Sequence, residues 1–220
     1  MRTYTRLVIA ALVATSAMAV FIGSASARNL SVSNQQFRTT YRSLEFRGSL
    51  LVRCAVTLEG SFHTRTIAKV SGALIGYVTR ANVKRPCASG EGFAFNGTET
   101  LNGVVLANTL PWHISYQGFA GTLPSIASVR LGLSGARFRI RDPIFGILCI
   151  ATTGGARGLA FGDIRLLAGG VAESLTPSGR IRFDAESSGL CGSEGEFLAP
   201  AGDGVITLLG AATRITVTLI

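Results

Sequence analysis

The feature that most constrains the fold is a series of short strand-like runs, separated by glycine-containing turns, in the second half of the chain. From Arg137 to Arg141, arginine alternates strictly with apolar residues, which is the two-residue period of a strand with one buried face. Similar runs occupy residues 144–151, 158–167, 179–185, 205–209 and 214–220, and turns at 153–155, 168–170, 176–179 and 201–204 separate them. Short strands at this spacing predict a mainly β fold, either an antiparallel β-sandwich or a barrel-like domain.

One segment of the first half has a different period. Between residues 64 and 81, apolar side chains recur every three or four positions, at Ile67, Val70, Leu74, Tyr77, Val78 and Ala81. This spacing predicts one short helix over about 64–81. Thr64 or Thr66 would cap its start and Asn82 would end it. We expect strands on either side of the helix, at 43–58 and 92–99.

The first 27 residues have the organisation of a secretory signal peptide. Arg2 and Arg6 precede an apolar run over residues 7–22, and Ala25 and Ala27 stand at the small-residue positions of a cleavage site. The alternative is an uncleaved membrane anchor, which the run disfavours because it is shorter than the roughly 20 residues that span a bilayer. We therefore predict that residues 1–27 are removed, leaving a domain at 28–220 with no transmembrane span, secreted or associated with the cell envelope.

Composition and cysteine content fit an exported, folded domain. The chain is 47% hydrophobic and only 15% charged, the opposite of a disordered chain. Its four cysteines are Cys54, Cys87, Cys149 and Cys191, and an even number in an exported protein predicts disulfides. Of the three possible pairings, Cys54–Cys87 with Cys149–Cys191 is favoured because each bond then closes a loop within its own half of the chain. No closely spaced cysteine pair suggests zinc, and we predict no metal site.

The segments that follow Cys87 and Cys191 are similar to each other, since both are rich in Gly, Ser and Glu and both lead toward an apolar run. This indicates an internal duplication, with repeat halves at about 28–115 and 116–220. The alternative is a chance similarity, because small residues often follow a cysteine.

The stretch from Cys54 to Ala81 (CAVTLEGSFHTRTIAKVSGALIGYVTRA) and the closing ITVTLI resemble uncharacterised exported proteins of high-GC Gram-positive bacteria. The resemblance covers most of the predicted mature chain, but its motifs are not specific. It implies export and a compact fold, and it carries over no activity, cofactor or partner.

Candidate catalytic groups are few. The chain has two histidines, His63 and His113, and no G-x-S-x-G segment, whereas a triad hydrolase needs a serine held against a histidine. Disulfide pairing would leave no free thiolate as a nucleophile. We therefore predict a non-enzymatic protein without a cofactor. One alternative is a secreted, glycosidase-like hydrolase whose carboxylates meet only in the folded chain. Another, a small outer-membrane barrel, is disfavoured by the cysteines and the expected helix.

The arginine run is the strongest functional signal in the sequence. Arg137, Arg139 and Arg141 should lie on one face of a strand, and Arg180 with Arg182 repeats the arrangement. If the two strands are neighbours, these five side chains form a face that would bind anionic envelope polymers or lipid headgroups. The alternative is an ordinary solvated outer face. Phe138 and Ile140 should lie on the opposite face of the strand, so no aromatic side chain stands among the arginines and we do not expect nucleic acid as a partner.

Overall fold

The protein consists almost entirely of antiparallel β-strands. The computed structural model describes residues 29–49, 51–84, 104–105, 109–141, 147–155 and 158–220, excepting the side chains of 104–105 and 138–141. The predicted signal peptide at 1–27, Cys87 and the expected strand at 92–99 lie outside the described residues. The described strands are β1 (Asn29–Val32), β2 (Gln36–Arg47), β3 (Leu51–Phe62), β4 (Thr66–Ala68), β5 (Leu74–Lys84), β6 (Val104–Val105), β7 (Trp112–Thr122), β8 (Ser125–Ser134), β9 (Arg137–Arg141), β10 (Leu148–Thr152), β11 (Ala160–Leu166), β12 (Ala172–Ser178), β13 (Arg180–Phe183), β14 (Glu194–Leu198), β15 (Val205–Leu208) and β16 (Val217–Leu219). Short 3₁₀ turns occupy Ala168–Gly170 and Gly189–Cys191.

Eight of these strands form a closed antiparallel barrel. Around the barrel the order is β2, β3, β5, β7, β8, β11, β12 and β15, and β15 pairs with β2 to complete the circle. Closure leaves no unpaired edge within this ring of strands. The predicted antiparallel, mainly β fold is confirmed, and of the two predicted architectures the structure has the barrel.

The long strand β2 belongs to two sheets. Its residues 37–40 pair with β15 and close the barrel, whereas residues 45–47 pair with β14. From β14 a second group of strands continues through β13, β10, β9 and β6. A bulge between Tyr41 and Leu44 separates the two halves of β2, and the Asp203 carboxylate accepts hydrogen bonds from the amides of Arg42 and Ser43 there, each at 2.9 Å. Such a bulge bends a strand and so allows it to change sheets.

A small three-stranded sheet, β16–β1–β4, lies at one end of the barrel. The strand β1 leads into the start of β2, and β4 connects the end of β3 to the start of β5. The small sheet therefore lies at the end of the barrel where β2 and β5 begin and β3 ends. Leu30, Val32, Ile67 and Val217 of this sheet are buried in the same hydrophobic core as the barrel residues. The small sheet therefore closes this end of the barrel.

The expected helix over 64–81 was wrong. The segment forms β4, a turn and β5, and Asn82 lies inside β5 rather than at a helix end. Val70 and Leu74, which the helical pattern places on the buried face, are 61% and 53% exposed. Gly72 adopts a φ of +82° in the turn, a conformation that a helix interior does not have. The abundance of β-branched residues here favours strands, and pairing with β3 and β7 decides the outcome.

The strands expected in the second half are confirmed at 137–141, 160–166, 180–183 and 205–208 within a few residues of their ends. The strand β12 is an addition, because the proline at residue 177 suggested only a turn. The boundary between the predicted repeat halves, at 115 and 116, falls inside β7, and both halves contribute strands to the barrel.

Candidate functional site

The interior of the barrel is built by the alternation of its strands. On β2, the residues Phe37, Thr39 and Tyr41 lie two apart and all line one internal cavity. Leu58 on β3 is the register partner of Thr39, and it is also the partner of Ala81 on β5. Because register partners share a face of the sheet, the inward side chains form successive layers across the barrel.

Small residues at several inward positions keep the barrel from filling completely. Ala81 on β5 and both Ala160 and Gly162 on β11 line the cavity. The cavity volume is about 190 Å³. An engineered apolar cavity of about 150 Å³ in another protein stays dry and holds benzene, so the space in this barrel is sufficient for a small organic molecule.

The walls of the cavity are almost wholly apolar. The aromatic residues Phe37, Phe62 and Trp112 and the aliphatic residues Leu131 and Ile206 are typical of the lining. Trp112 is buried, and its indole Nε1 donates to Thr109 Oγ1 at 3.0 Å. No charged side chain lines the cavity in the part of the chain that the structure describes. These walls suit a ligand that loses little hydration on entering.

Most of the few polar groups at the cavity already have partners within the protein. The Tyr41 hydroxyl donates to the Leu175 carbonyl at 2.9 Å. Burial raises the pKa of Tyr41 far above its ordinary value, and the nearby Asp203 carboxylate raises it further. Thr153 Oγ1 accepts from the Ala136 amide at 3.0 Å. The phenol therefore remains a protonated donor at any physiological pH, committed to a backbone carbonyl.

The described carboxylates lie outside the cavity. Glu45, Glu59 and Asp163 form ion pairs with arginines, and Asp203 caps the two amides in the β2 bulge. A glycosidase needs two carboxyl groups facing each other across a sugar. The cavity contains no such pair among its described lining residues.

The three described arginines of the predicted face, Arg137, Arg180 and Arg182, are largely neutralised. The strands β9 and β13 are not neighbours but flank β10, where Arg137 and Arg182 both pair with Thr152 and so share a face. Arg137 contacts Asp184 at 3.1 Å and Glu186 at 3.0 Å. Arg180 and Arg182 both contact Glu194, at 3.1 and 3.8 Å. The side chains of Arg139 and Arg141 lie outside the described residues.

A stronger concentration of positive charge lies on the outer side of β2, β3 and β5, which we call the basic face. Two glutamates there are each shared by two arginines. Glu59 contacts Arg38 at 2.7 Å and Arg80 at 3.7 Å, and Glu45 contacts two further arginines at 2.6 Å each. Among the described residues, the basic face carries six basic and two acidic residues: Arg38, Arg42, Arg47, Arg53, Arg80 and Lys84, with Glu45 and Glu59.

The predicted disulfide between Cys149 and Cys191 is confirmed, and both residues are fully buried. Cys54 is disulfide-bonded too, and its predicted partner Cys87 lies outside the described residues. Over the ranges that the structure describes, no three His, Cys, Asp or Glu side chains are grouped in a way that would hold a metal ion. The same ranges contain no helix that is long and apolar enough to cross a membrane.

The two histidines lie on the outside of the barrel, on either side of Tyr77. The ring of Tyr77 is 4.7 Å from that of His63 and 5.1 Å from that of His113, measured between centroids. This stack joins β5, β7 and the residue that follows β3. His113 is the register partner of Ser134 on β8, and no hydrogen bond links the two side chains among the described contacts. Its arrangement is that of a packing cluster.

Comparisons with known proteins found no matching family model, no matching curated protein and no matching solved structure. The candidate site therefore depends on its own geometry. Sequence reasoning did not identify the cavity. The available signal was the small residues Ala160 and Gly162 at alternate positions of a predicted strand, where large apolar residues would normally fill a core.

Proposed function

We propose that the protein is an exported, non-enzymatic β-barrel that binds a small apolar molecule in its interior. The observation that supports this proposal is the cavity of about 190 Å³ with apolar walls inside a closed barrel. Signal-peptide organisation of the first 27 residues and a buried disulfide support the extracytoplasmic location.

The free-energy cost of empty space in the core favours a bound ligand in the cavity. Empty space in a protein core is unfavourable, at roughly 24 cal/mol per Å³ for a closed cavity. Small domains are stable by only about 5–15 kcal/mol. A ligand that fills the void regains the lost packing contacts and adds its binding energy to the stability of the folded state.

The test is calorimetric titration of the purified mature domain with p-xylene, which is slightly larger than benzene. We expect binding with a Kd of about 0.1–1 mM, a range set by the small number of ligand atoms. Ala81→Leu places three more carbon atoms in the cavity, and it should weaken binding at least tenfold. Ala127→Leu is the matched control, because Ala127 is exposed on β8. Absence of binding to the wild type, or equal binding by both variants, would contradict the proposal.

A second candidate function is binding of anionic envelope material, polymer or lipid headgroups, and the basic face supports it better than the predicted arginine run. Five arginines of the described basic face stand against two glutamates, whereas the three described arginines of the run contact three carboxylates. A face that keeps a net positive charge with its ion pairs formed attracts a polyanion.

Co-sedimentation with isolated envelope material at low and high salt tests this second candidate. The triple variant Arg38→Gln, Arg42→Gln, Arg80→Gln should lose most of the salt-sensitive binding. The variant Arg137→Gln, Arg180→Gln, Arg182→Gln removes the same number of charges from the arginine run and should retain it. If the first variant retains the binding and the second loses it, the anion site lies on the predicted arginine run. If the wild type shows no salt-sensitive binding, both faces are rejected.

A further inference from the structure

Thr39 is a buried polar residue in an apolar layer of the barrel. It is the fourth residue of β2, is 1% exposed and lines the cavity. Its register partners are Leu58 on β3 and Ile206 on β15, and both also line the cavity. The hydroxyl group therefore enters the barrel between two aliphatic side chains.

The Thr39 hydroxyl has no hydrogen-bond partner in the described part of the protein. The other polar side chains at the cavity differ in this respect. Tyr41 donates to Leu175, Thr153 accepts from Ala136, and Ser178 donates to Asp163 at 3.4 Å. An unpaired buried hydroxyl is unfavourable, because the group loses its hydrogen bonds to water and gains none. Valine has nearly the same shape and would avoid this cost.

We propose that Thr39 is the polar anchor of the cavity, and that the ligand is a small, otherwise apolar molecule with a single hydroxyl or carbonyl group. This inference depends on the proposed function and adds the chemical class of the ligand. A threonine hydroxyl offers one donor and two acceptor positions, so it pairs with either group. Since the rest of the wall is apolar or already paired, a second polar group on the ligand would be left unsatisfied. The cavity thus selects for one hydrogen-bonding group per ligand.

The experiment compares two ligands of nearly equal shape, p-xylene and p-cresol, in which a methyl group is exchanged for a hydroxyl. Each is titrated into the wild-type protein, into Thr39→Val and into Thr40→Val. Thr40 is the neighbouring residue on the exposed side of β2, so its substitution is the matched control. Thermal unfolding without ligand accompanies each titration, to establish that the variants fold.

We expect Thr39→Val to weaken p-cresol binding about fivefold, the worth of one neutral hydrogen bond, and to leave p-xylene binding unchanged within twofold. Thr40→Val should change neither affinity. Without ligand, Thr39→Val should unfold at the wild-type temperature or above it. If both ligands bind but p-cresol is indifferent to Thr39→Val, the anchor is rejected while the apolar site stands. If neither ligand binds the wild type, the apolar site itself is rejected, and the anchor with it.

Discussion

Gly162 on β11 lies directly opposite Leu131 on β8, and both residues line the cavity. A Cβ atom at residue 162 would lie 2.7 Å from Leu175 Cδ1, at the end of a flexible side chain that also lines the cavity. The absence of a side chain at residue 162 is therefore one of the features that keep the interior open.

Gly162→Ala should stabilise the protein without ligand and weaken its binding of p-xylene severalfold. The added methyl group fills part of the void, and it also lowers the conformational entropy of the unfolded chain, together worth about 1 kcal/mol. Gly189→Ala is the control, because a Cβ there meets no atom within 4 Å. Urea unfolding and calorimetry measure the two effects. A Gly162→Ala protein that binds p-xylene as well as Gly189→Ala does would show that the space beside residue 162 is not used.

The sequence predicts the class of fold because alternation and turns are local. Strands and turns can be predicted without any long-range contact from the run Arg137 to Arg141 and from the turn glycines at residues 154, 169 and 202. These glycines have positive φ in the structure. The closed barrel depends instead on pairing between β2 and β15, where even Thr40 and Val205 are 165 residues apart in the chain. No local pattern specifies that pairing, so a sandwich and a barrel remain equally compatible with the sequence.

The helix prediction, which was wrong, and the arginine-face prediction both leave out pairings that form only in the folded chain. Ile67, Val78 and Ala81 are buried as predicted, but they face inward from strands and not from a helix. The strand β5 has a bulge where it pairs with Glu59 and Gly60 of β3. The bulge shifts the alternation of buried and exposed side chains along β5, so that its apolar residues recur every three or four positions. The predicted arginine face likewise omits Glu194 and Asp184, because ion pairs with distant residues form only in the folded chain. The cavity is enclosed by eight strands together, and the small residues Ala160 and Gly162 on β11 are only a partial signal of it.

Asp203→Asn should destabilise the protein by about 2–3 kcal/mol. The two carboxylate oxygens accept from the Arg42 and Ser43 amides, and an asparagine replaces one acceptor with a donor that faces a backbone N–H. Asp163→Asn is the control, since its partner Arg130 is on the exposed side of the barrel and such pairs contribute at most about 1 kcal/mol. Equal losses in guanidinium unfolding for the two variants would refute the structural role of Asp203 in the β2 bulge.

Glu45 makes the folding stability of the protein depend on pH in the acid range. A hydrogen bond from Arg53, aided by Arg47, lowers the pKa of the Glu45 carboxyl, although partial burial opposes the effect. The unfolded chain, with a glutamate pKa of about 4.3, therefore takes up the proton first as the pH falls. The Glu45 ion pairs therefore stabilise the folded state fully at a pH well above about 4.3. This stabilisation is lost as the pH falls through the unfolded-state pKa and then through the lower pKa of the folded state.

Glu45→Gln should accordingly lower the free energy of unfolding by about 1 kcal/mol at neutral pH and make its decline below about pH 5 shallower. Glu186→Gln, at a side chain that is 69% exposed, should leave the pH profile close to that of the wild type. Denaturant titrations across the acid range measure both. Parallel profiles for wild type and Glu45→Gln would contradict the ion-pair account.

Replacing Cys149 and Cys191 together by alanine should cost about 4 kcal/mol, the chain-entropy value for a loop of this length. The bond closes a separation of 42 residues and links β10 to the turn before β14. Guanidinium unfolding of the double variant against the oxidised wild type measures the loss. A loss below about 1 kcal/mol would indicate that the sheet strands β13, β10, β9 and β6 are held in place by packing around Phe46 and Phe183 alone.

The most direct test of the central claim is the location of bound p-xylene by intermolecular nuclear Overhauser effects. The account predicts contacts from the ligand's methyl protons to the methyl groups of Leu58, Leu131 and Ile206, which line the cavity on three different strands. Contacts confined to Val70, Leu74 or Leu190, which are exposed, would place the ligand on the surface and contradict the claim that the barrel interior is the binding site.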